Sequence, residues 1–182
     1  MNMNDKTIIG IDPGANGAIS FTTTNDKIRK KNGVTPYKCH KLIHGRTIIC
    51  TMAKSAYNRG EFKEIVAYIE KVHAMPHDGR SSLFKFGVNY GVWLGILDAK
   101  KIKTIEVSPQ KWMRWWETKL GIKLPKEKKD RKNKLKEIAS DYIDIDHKTT
   151  LWNADSILIT MYGVYAEKEG EIDDSKRSKS KV

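Results

Sequence analysis

Cysteine is scarce. Cys39 and Cys50 are the only two in 182 residues, and they have neither the count nor the spacing of a disulfide framework or a zinc site. Both are expected to be reduced and structural. No apolar stretch approaches the roughly 20 residues that a membrane-crossing helix needs, and Met1-Asn2-Met3-Asn4-Asp5-Lys6 lacks the apolar centre of a signal peptide. No membrane partner is therefore expected, and the protein is expected in the cytoplasm. No internal repeat is visible, and the length suits one domain with a good core. Acid is the other shortage. Lys and Arg number 34 against 22 Asp and Glu, a formal net charge of +12. The surplus is concentrated: Lys100 to Lys136 holds fourteen basic and four acidic residues, a net +10. Such a block suits phosphate contacts, where counterion release makes binding strong and salt-sensitive. A lysine run also serves as a solvated helical face. Its closeness in sequence to the acidic candidates below favours nucleic acid.

With acid in short supply, three acids stand out by position. Ile8-Ile9-Gly10-Ile11 reads as a buried strand that stops abruptly at Asp12-Pro13-Gly14, which puts Asp12 at the strand's mouth. Capping of the Pro-Gly turn is the plainer use of such an Asp. Glu70 is a lone acid in the apolar run Ile65-Val66-Ala67-Tyr68-Ile69-Glu70-Lys71-Val72. A carboxylate there is costly to bury without a cation, unless it faces water or pairs with Lys71. Asp155 opens a stretch in which Ile157, Leu158, Met161 and Val164 recur at helical spacing. In a first turn the helix dipole favours an acid, so capping explains Asp155 as well as function does.

The remaining elements follow from punctuation and period. Strands are expected over Thr7 to Asp12 and Ala18 to Thr23, with a third after Lys27 to Lys31. A further extended piece is expected over Arg46 to Cys50, and a polar helix over Ser55 to Lys63 leads into the Glu70 strand. Phe86 to Lys101 reads as a helix with Gly87, Gly91 and Gly95 at four-residue spacing. Such glycines weaken a helix, so they are expected to lie against the sheet or a second subunit. Thr104 to Val107 gives another strand, two helices follow with a break near Gly121 to Pro125, and the last helix runs from near Asn153 to Glu169-Gly170. This order predicts an α/β fold, a mixed sheet with helices on both faces. Residues 1–170 form the domain, and the basic Ser- and Lys-rich residues 171–182 have too little apolar content to fold.

The chain resembles the RuvC-type Holliday-junction resolvases, in their bacteriophage branch, within the ribonuclease H-like superfamily. The likeness is carried by Ile8-Ile9-Gly10-Ile11-Asp12-Pro13-Gly14, by Ile69-Glu70-Lys71-Val72-His73-Ala74-Met75-Pro76, and by Ser81-Ser82-Leu83-Phe84-Lys85-Phe86-Gly87 running into Tyr90-Gly91-Val92-Trp93-Leu94-Gly95-Ile96-Leu97. Val107-Ser108-Pro109-Gln110-Lys111-Trp112 and Asn153-Ala154-Asp155 complete it. The blocks cover roughly residues 7 to 166 in family order, and as a set they are specific.

The resemblance implies a ribonuclease H-like sheet on which Asp12, Glu70 and Asp155 meet as metal ligands and catalytic acids. Oxygen-only ligands on rigid elements suit hard cations, so two Mg²⁺ ions are implied, with Mn²⁺ as a substitute. The implied activity is a metal-dependent endonuclease. It would act as a homodimer on four-way DNA junctions, cutting paired phosphodiesters to 5′-phosphate and 3′-hydroxyl ends in phage recombination, replication or packaging. The family also places lysines near the scissile phosphate. Lys111 and one of Lys128, Lys129 or Lys132 stand in that region, with Lys129 taken as the second catalytic lysine. Further DNA contacts are expected from Arg80, Phe84, Lys85, Arg114, Lys126, Lys128, Arg131 and Lys132. Phe84 and Phe86 suit base stacking or the core equally, whereas Trp112, Trp115 and Trp116 are expected to pack.

One departure stands out. Relatives usually carry a fourth ligand three or four residues before the last Asp, and here those places hold Trp152 and Leu151. Asn153, Asp146 or His147 could serve instead, or three ligands with more water. The alternatives to junction resolution are accordingly a less selective fork or flap endonuclease, and a DNA-structure-binding protein with impaired catalysis.

Overall fold

A computed structural model describes residues 5–14, 17–38, 64–71 and 79–169. Strand β1 (Lys6–Ile11) pairs antiparallel with β2 (Ala18–Thr23), which pairs antiparallel with β3 (Thr35–Lys38) after the short helix α1 (Asp26–Asn32). On its other side β1 runs parallel to β4 (Glu64–Glu70), and β4 runs parallel to β5 (Lys103–Val107). The sheet order is β3-β2-β1-β4-β5. Helix α2 (Arg80–Ala99) precedes β5; α3 (Pro109–Leu120), α4 (Lys128–Ala139) and α5 (Ala154–Glu169) follow it. This is the mixed α/β sheet that the order of elements predicted.

The two-residue period of a strand assigns the layers. Ile8, Val66 and Tyr68 face a core shared with α3, α4 and α5, where Trp112, Trp116, Leu135, Ile157 and Leu158 are buried. Ile9, Ile11, Ala67 and Ile69 face the opposite core, closed by Trp93 and Leu97 of α2. Continuing the alternation by one residue sends Asp12 and Glu70 to the α5 side. The register reinforces this: Ile11 lies opposite Ile69 on the parallel strands, so the next residues, Asp12 and Glu70, leave the sheet side by side.

Helix α5 lies tight against β1. A Cβ on Gly10 would stand 2.3 Å from the Thr160 hydroxyl and 2.6 Å from the Ser156 carbonyl oxygen. Only a residue without a side chain permits that approach. Across the same seam the Ser20 and Ser156 hydroxyls share a 2.6 Å hydrogen bond, and the Thr160 hydroxyl donates to the Ser20 carbonyl. Every residue from Asn153 to Val164 is buried. The helix is thus enclosed all round, where its apolar spacing had marked a single face.

Other expectations are corrected. Glu70 closes its strand instead of sitting mid-run. Helix α2 begins six residues before Phe86: the Leu83 N–H already donates to the Gly79 carbonyl, so the small polar Ser81 and Ser82 start a helix and not a loop. Gly87, Gly91 and Gly95 do not lie against the sheet, since a Cβ on any of them would meet nothing within 4 Å among the described residues. The third strand is present, on the sheet edge where Pro36 costs no ladder bond. Helix α1 before it was not foreseen; Asn25 caps it by accepting from the Lys27 and Ile28 N–H groups. The expected pieces at Arg46 to Cys50 and Ser55 to Lys63, Cys39, Cys50 and the 171–182 tail lie outside the described residues.

Candidate active site

Three elements bring their acids together at one edge of the sheet. Asp12 follows β1, and its carboxylate accepts the Gly14 N–H at 2.9 Å. Capping therefore engages one carboxylate oxygen, Oδ1, through the Gly14 N–H. Gly17 closes the turn around it, because a Cβ there would stand 2.1 Å from the Asp12 carbonyl oxygen. Glu70 ends β4 and accepts the Trp112 indole N–H at 3.0 Å. Asp155 sits in the first turn of α5. One of its oxygens pairs with the Lys132 ammonium from α4, while Oδ1 is buried with no hydrogen-bond partner among the described residues.

The charges are unbalanced. Burial, then the Asp155 charge, pushes the Asp12 carboxyl up to about 6, against the Gly14 N–H and Lys132. Burial, then Asp12 and Asp155, pushes Glu70 up to about 8 despite the Trp112 N–H and Lys132. Burial would pull the Lys132 ammonium down, but Asp155, Asp12 and Glu70 outweigh it and leave it raised. Three carboxylates thus share one ammonium. A hard divalent cation is the missing charge that such an oxygen set suits, and the orphaned Asp155 Oδ1 is a lone pair it could use. The side chains are not yet gathered around one point. Among the described residues, no three His, Cys, Asp or Glu side chains stand close enough to grip a single ion.

Of the three candidate lysines in α4, the structure brings Lys132 to the acids, whereas Lys128 and Lys129 are exposed. Spacing explains this. Leu135 and Ile138 bury the face of α4 that turns to the core, and position 132 lies one turn before Leu135 on that side, while 128 and 129 precede it at the helix start. Lys111 is exposed at the start of α3, whose first turn Ser108 caps by accepting the Lys111 N–H at 3.2 Å.

The expected DNA contacts lie on α2, α3, α4 and the turn before α4. Phe84 is 74% exposed and Lys85 is exposed on α2. Phe86, two residues on and on the other side of the helix, comes within 3.8 Å of where a Cβ on Gly14 would be, and Asn89 donates to the Pro13 carbonyl. The N-terminal half of α2 therefore leans over the Asp12 turn. Arg114, Lys126 and Lys128 are exposed. Arg131 donates to the Lys126 carbonyl at 2.8 Å and so also staples the turn before α4. Arg80 is the first residue of α2.

The alternatives for a fourth ligand fare unequally. Asn153 is committed at both ends of its amide, accepting the Thr150 N–H at 2.7 Å and donating to the Lys148 carbonyl at 3.0 Å. His147 lies 2.6 Å from Asp144 through Nδ1. Asp146 is exposed, Leu151 is exposed and Trp152 is half-buried. Trp112 is the contributor that sequence reasoning placed only in the core. It is 1% exposed, yet a buried indole N–H needs an acceptor, and its acceptor is Glu70.

No protein-family model matches the sequence, and no curated protein matches it. Solved structures do. The structure of RuvC from Thermus thermophilus aligns over 90% of this chain and 96% of its own, at 12% identity and a TM-score of 0.51. This chain has the RuvC fold. The ribonuclease H-like architecture implied by the sequence blocks is thereby observed. T. thermophilus RuvC in complex with a Holliday junction substrate aligns over 91% and 96% of the two chains at 12% identity and a TM-score of 0.47. The yeast mitochondrial Holliday junction resolvase Ydc2 aligns over 90% and 80% at 13% identity and 0.48.

Proposed function

We propose that this protein is a divalent-metal-dependent endonuclease that resolves four-way DNA junctions, working as a homodimer. The observation that carries the reading is the side-by-side exit of Asp12 and Glu70 from adjacent parallel strands, on the face where α5 presents Asp155. Asp12, Glu70 and Asp155 would hold Mg²⁺, or Mn²⁺ in its place, which supplies charge stabilisation for water's attack on phosphorus and for the departing 3′ oxygen. The products would be a 5′-phosphate and a 3′-hydroxyl. Lys132 shares the same acids and is the lysine best placed to meet a phosphate oxygen there, with Lys111 at the edge of α3. Exposed Lys85, Arg114, Lys126 and Lys128 would hold the duplex arms by their phosphates, and exposed Phe84 would stack on an unpaired base at the branch.

A four-way junction has near two-fold symmetry, and paired cuts require two sites, which a C₂ dimer provides. The open glycine face of α2 is the surface we assign to that contact. The role in phage DNA recombination, replication or packaging, in the host cytoplasm, rests on the sequence blocks alone.

Trp152 and Leu151 at the places where the resembled family carries a further ligand favour one second reading, a junction-binding protein with weak or lost catalysis. Incubating the protein with a synthetic four-way junction, a fork and a plain duplex in Mg²⁺ separates the readings. Symmetric nicking of the junction alone supports resolution. Cutting of forks as well means a broader branched-DNA nuclease, and junction binding without cutting in Mg²⁺ or Mn²⁺ overturns the enzymatic reading.

A further inference from the structure

Helix α3 buries two indoles on one face, Trp112 at 1% exposure and Trp116 at 0%, and each spends its N–H on a different neighbour. Trp116 donates to the Leu158 carbonyl at 3.2 Å, a backbone group inside α5. Trp112 donates to Glu70 Oε2 at 3.0 Å. An indole is a donor only and cannot itself hold a cation, so its presence against a candidate ligand is an arrangement of that ligand. Its ring is locked in the core with Ile157, Leu158 and Trp116, and a locked ring gives its N–H one direction.

We infer that Trp112 is a positioning residue: its N–H occupies Glu70 Oε2, fixes the carboxylate plane and leaves Oε1 as the single oxygen Glu70 offers to the site. Ordering of a ligand by an outer partner is a general feature of metal centres, and its loss typically costs about 10- to 100-fold in affinity. The local sequence makes the contact. Ser108 caps α3 and Pro109 starts it, which fixes the helix start directly after β5, and β5 pairs with β4 so that Val107 lies opposite Glu70. Trp112 then falls one turn into α3, beside the end of the Glu70 strand.

The inference rests on the metal-dependent reading above, and its test keeps the two apart. Mn²⁺ binding to the intact protein is measured by calorimetry for the parent, Trp112→Phe, Glu70→Gln and the double variant. Trp115→Phe serves as a control that loses an indole from the same helix away from the acids. The expected result is Mn²⁺ affinity at least tenfold weaker in Trp112→Phe and unchanged in Trp115→Phe, with saturating Mn²⁺ restoring junction cleavage in Trp112→Phe. In the Glu70→Gln background, Trp112→Phe should add nothing further. Parent-like affinity in a folded Trp112→Phe overturns the inference and leaves the metal reading intact, whereas a parent that binds no Mn²⁺ overturns both. A measurement without substitution at position 112 covers a variant that does not fold. In ¹⁵N-indole spectra of the parent, the Trp112 N–H signal should move on adding Mg²⁺ and move again in Glu70→Gln. A signal that stays put under both also overturns the inference.

Discussion

The same three elements, β1, β4 and α5, carry charged residues at both edges of the sheet, and the two edges treat them oppositely. At the edge where β1 and β4 begin, Lys6 lies 2.6 Å from Glu167 and 3.1 Å from Glu64, and the Tyr68 hydroxyl donates to Glu167 at 2.9 Å. Burial would raise the Glu167 carboxyl, but Lys6 and Tyr68 outweigh it and hold it low. There Lys6 bridges two carboxylates, Lys103 adds a second positive charge near Glu167, and the net effect holds that carboxyl charged. At the edge where the strands end, Asp12, Glu70 and Asp155 face one ammonium, and two of the carboxyls are pushed up to about 6 and about 8. One edge is built for stability. The other stores repulsion, which accords with the proposed functional site.

The sharpest way to break this contrast is to neutralise each edge in turn. Asp12→Asn, Glu70→Gln and Asp155→Asn should each lower junction cleavage on the order of a thousandfold or more, while binding to the junction persists because the basic block is untouched. Glu167→Gln should leave cleavage near the parent rate and cost about 1 to 3 kcal/mol of stability, the scale of hydrogen bonds to charged groups. Cleavage assays, gel shifts and melting curves read all three. Near-parent cutting by any acid variant would remove that residue from the site.

The two edges should also answer pH with opposite signs. Carboxyls at about 6 and about 8 lie above the ordinary 3.8 and 4.5, so the folded protein binds these protons more tightly than the unfolded chain. Without metal, that edge is most stable below about pH 4 and loses stability as pH rises through 6 to 8. Glu167 is held low, so its contribution is present above the ordinary carboxylate range and is lost as pH falls. Melting temperatures in chelator should show Glu70→Gln more stable than the parent at pH 8 and level with it near pH 4. Mg²⁺ should lift the parent at pH 8 and not the variant. A parent that outlasts Glu70→Gln in chelator at pH 8 would contradict the stored repulsion.

How much of this edge was legible beforehand depended on whether a residue's role is local. Asp12 and Asp155 announce themselves by the strand end and helix start they occupy, and the strands, the last helix and the mixed sheet follow from period and punctuation. The layer in which each acid lies also follows from parity once the strands are known. Lys132 was legible only as one of three candidate lysines and Trp112 only as a packing residue, because nothing in a run of lysines or in a Trp-rich helix states which side chain meets an acid from another element. The glycines of α2 were legible only in part for a related reason: spacing shows that they share a face, not whether the sheet or a second subunit would meet it.

Smaller effects refine the picture. With Trp152 where relatives place a ligand, cleavage should run better in Mn²⁺, which accepts mixed ligand sets more readily. Trp152→Asp should lower the Mg²⁺ needed by roughly tenfold, the scale of one well-placed partner at a metal site. A titration already saturating at low Mg²⁺ in the parent would remove the need for a further acid. On α2, Gly91→Ala should stabilise the helix by up to about 1 kcal/mol, since the added Cβ meets nothing within 4 Å among the described residues. Gly91→Leu or Gly95→Leu should weaken self-association if the open face is the dimer contact. Light scattering that finds a monomer with and without junction DNA would move or abolish that interface.

The tight seating of α5 on β1 also sets when the site can exist during synthesis. The Thr160 hydroxyl bonds to Ser20 across 140 residues, and Asp155 lies on that same last-made helix. At about 5 to 20 residues per second, the ribosome needs roughly 7 to 28 s to cover that distance. During that interval the growing chain carries Asp12, then Glu70, then the basic block from Lys100 to Lys136, but not Asp155. Under the proposed function it would touch nucleic acid before it could cut it. Cutting competence would then arrive with the docking of α5, and chains stalled or truncated before it would bind DNA without cutting it.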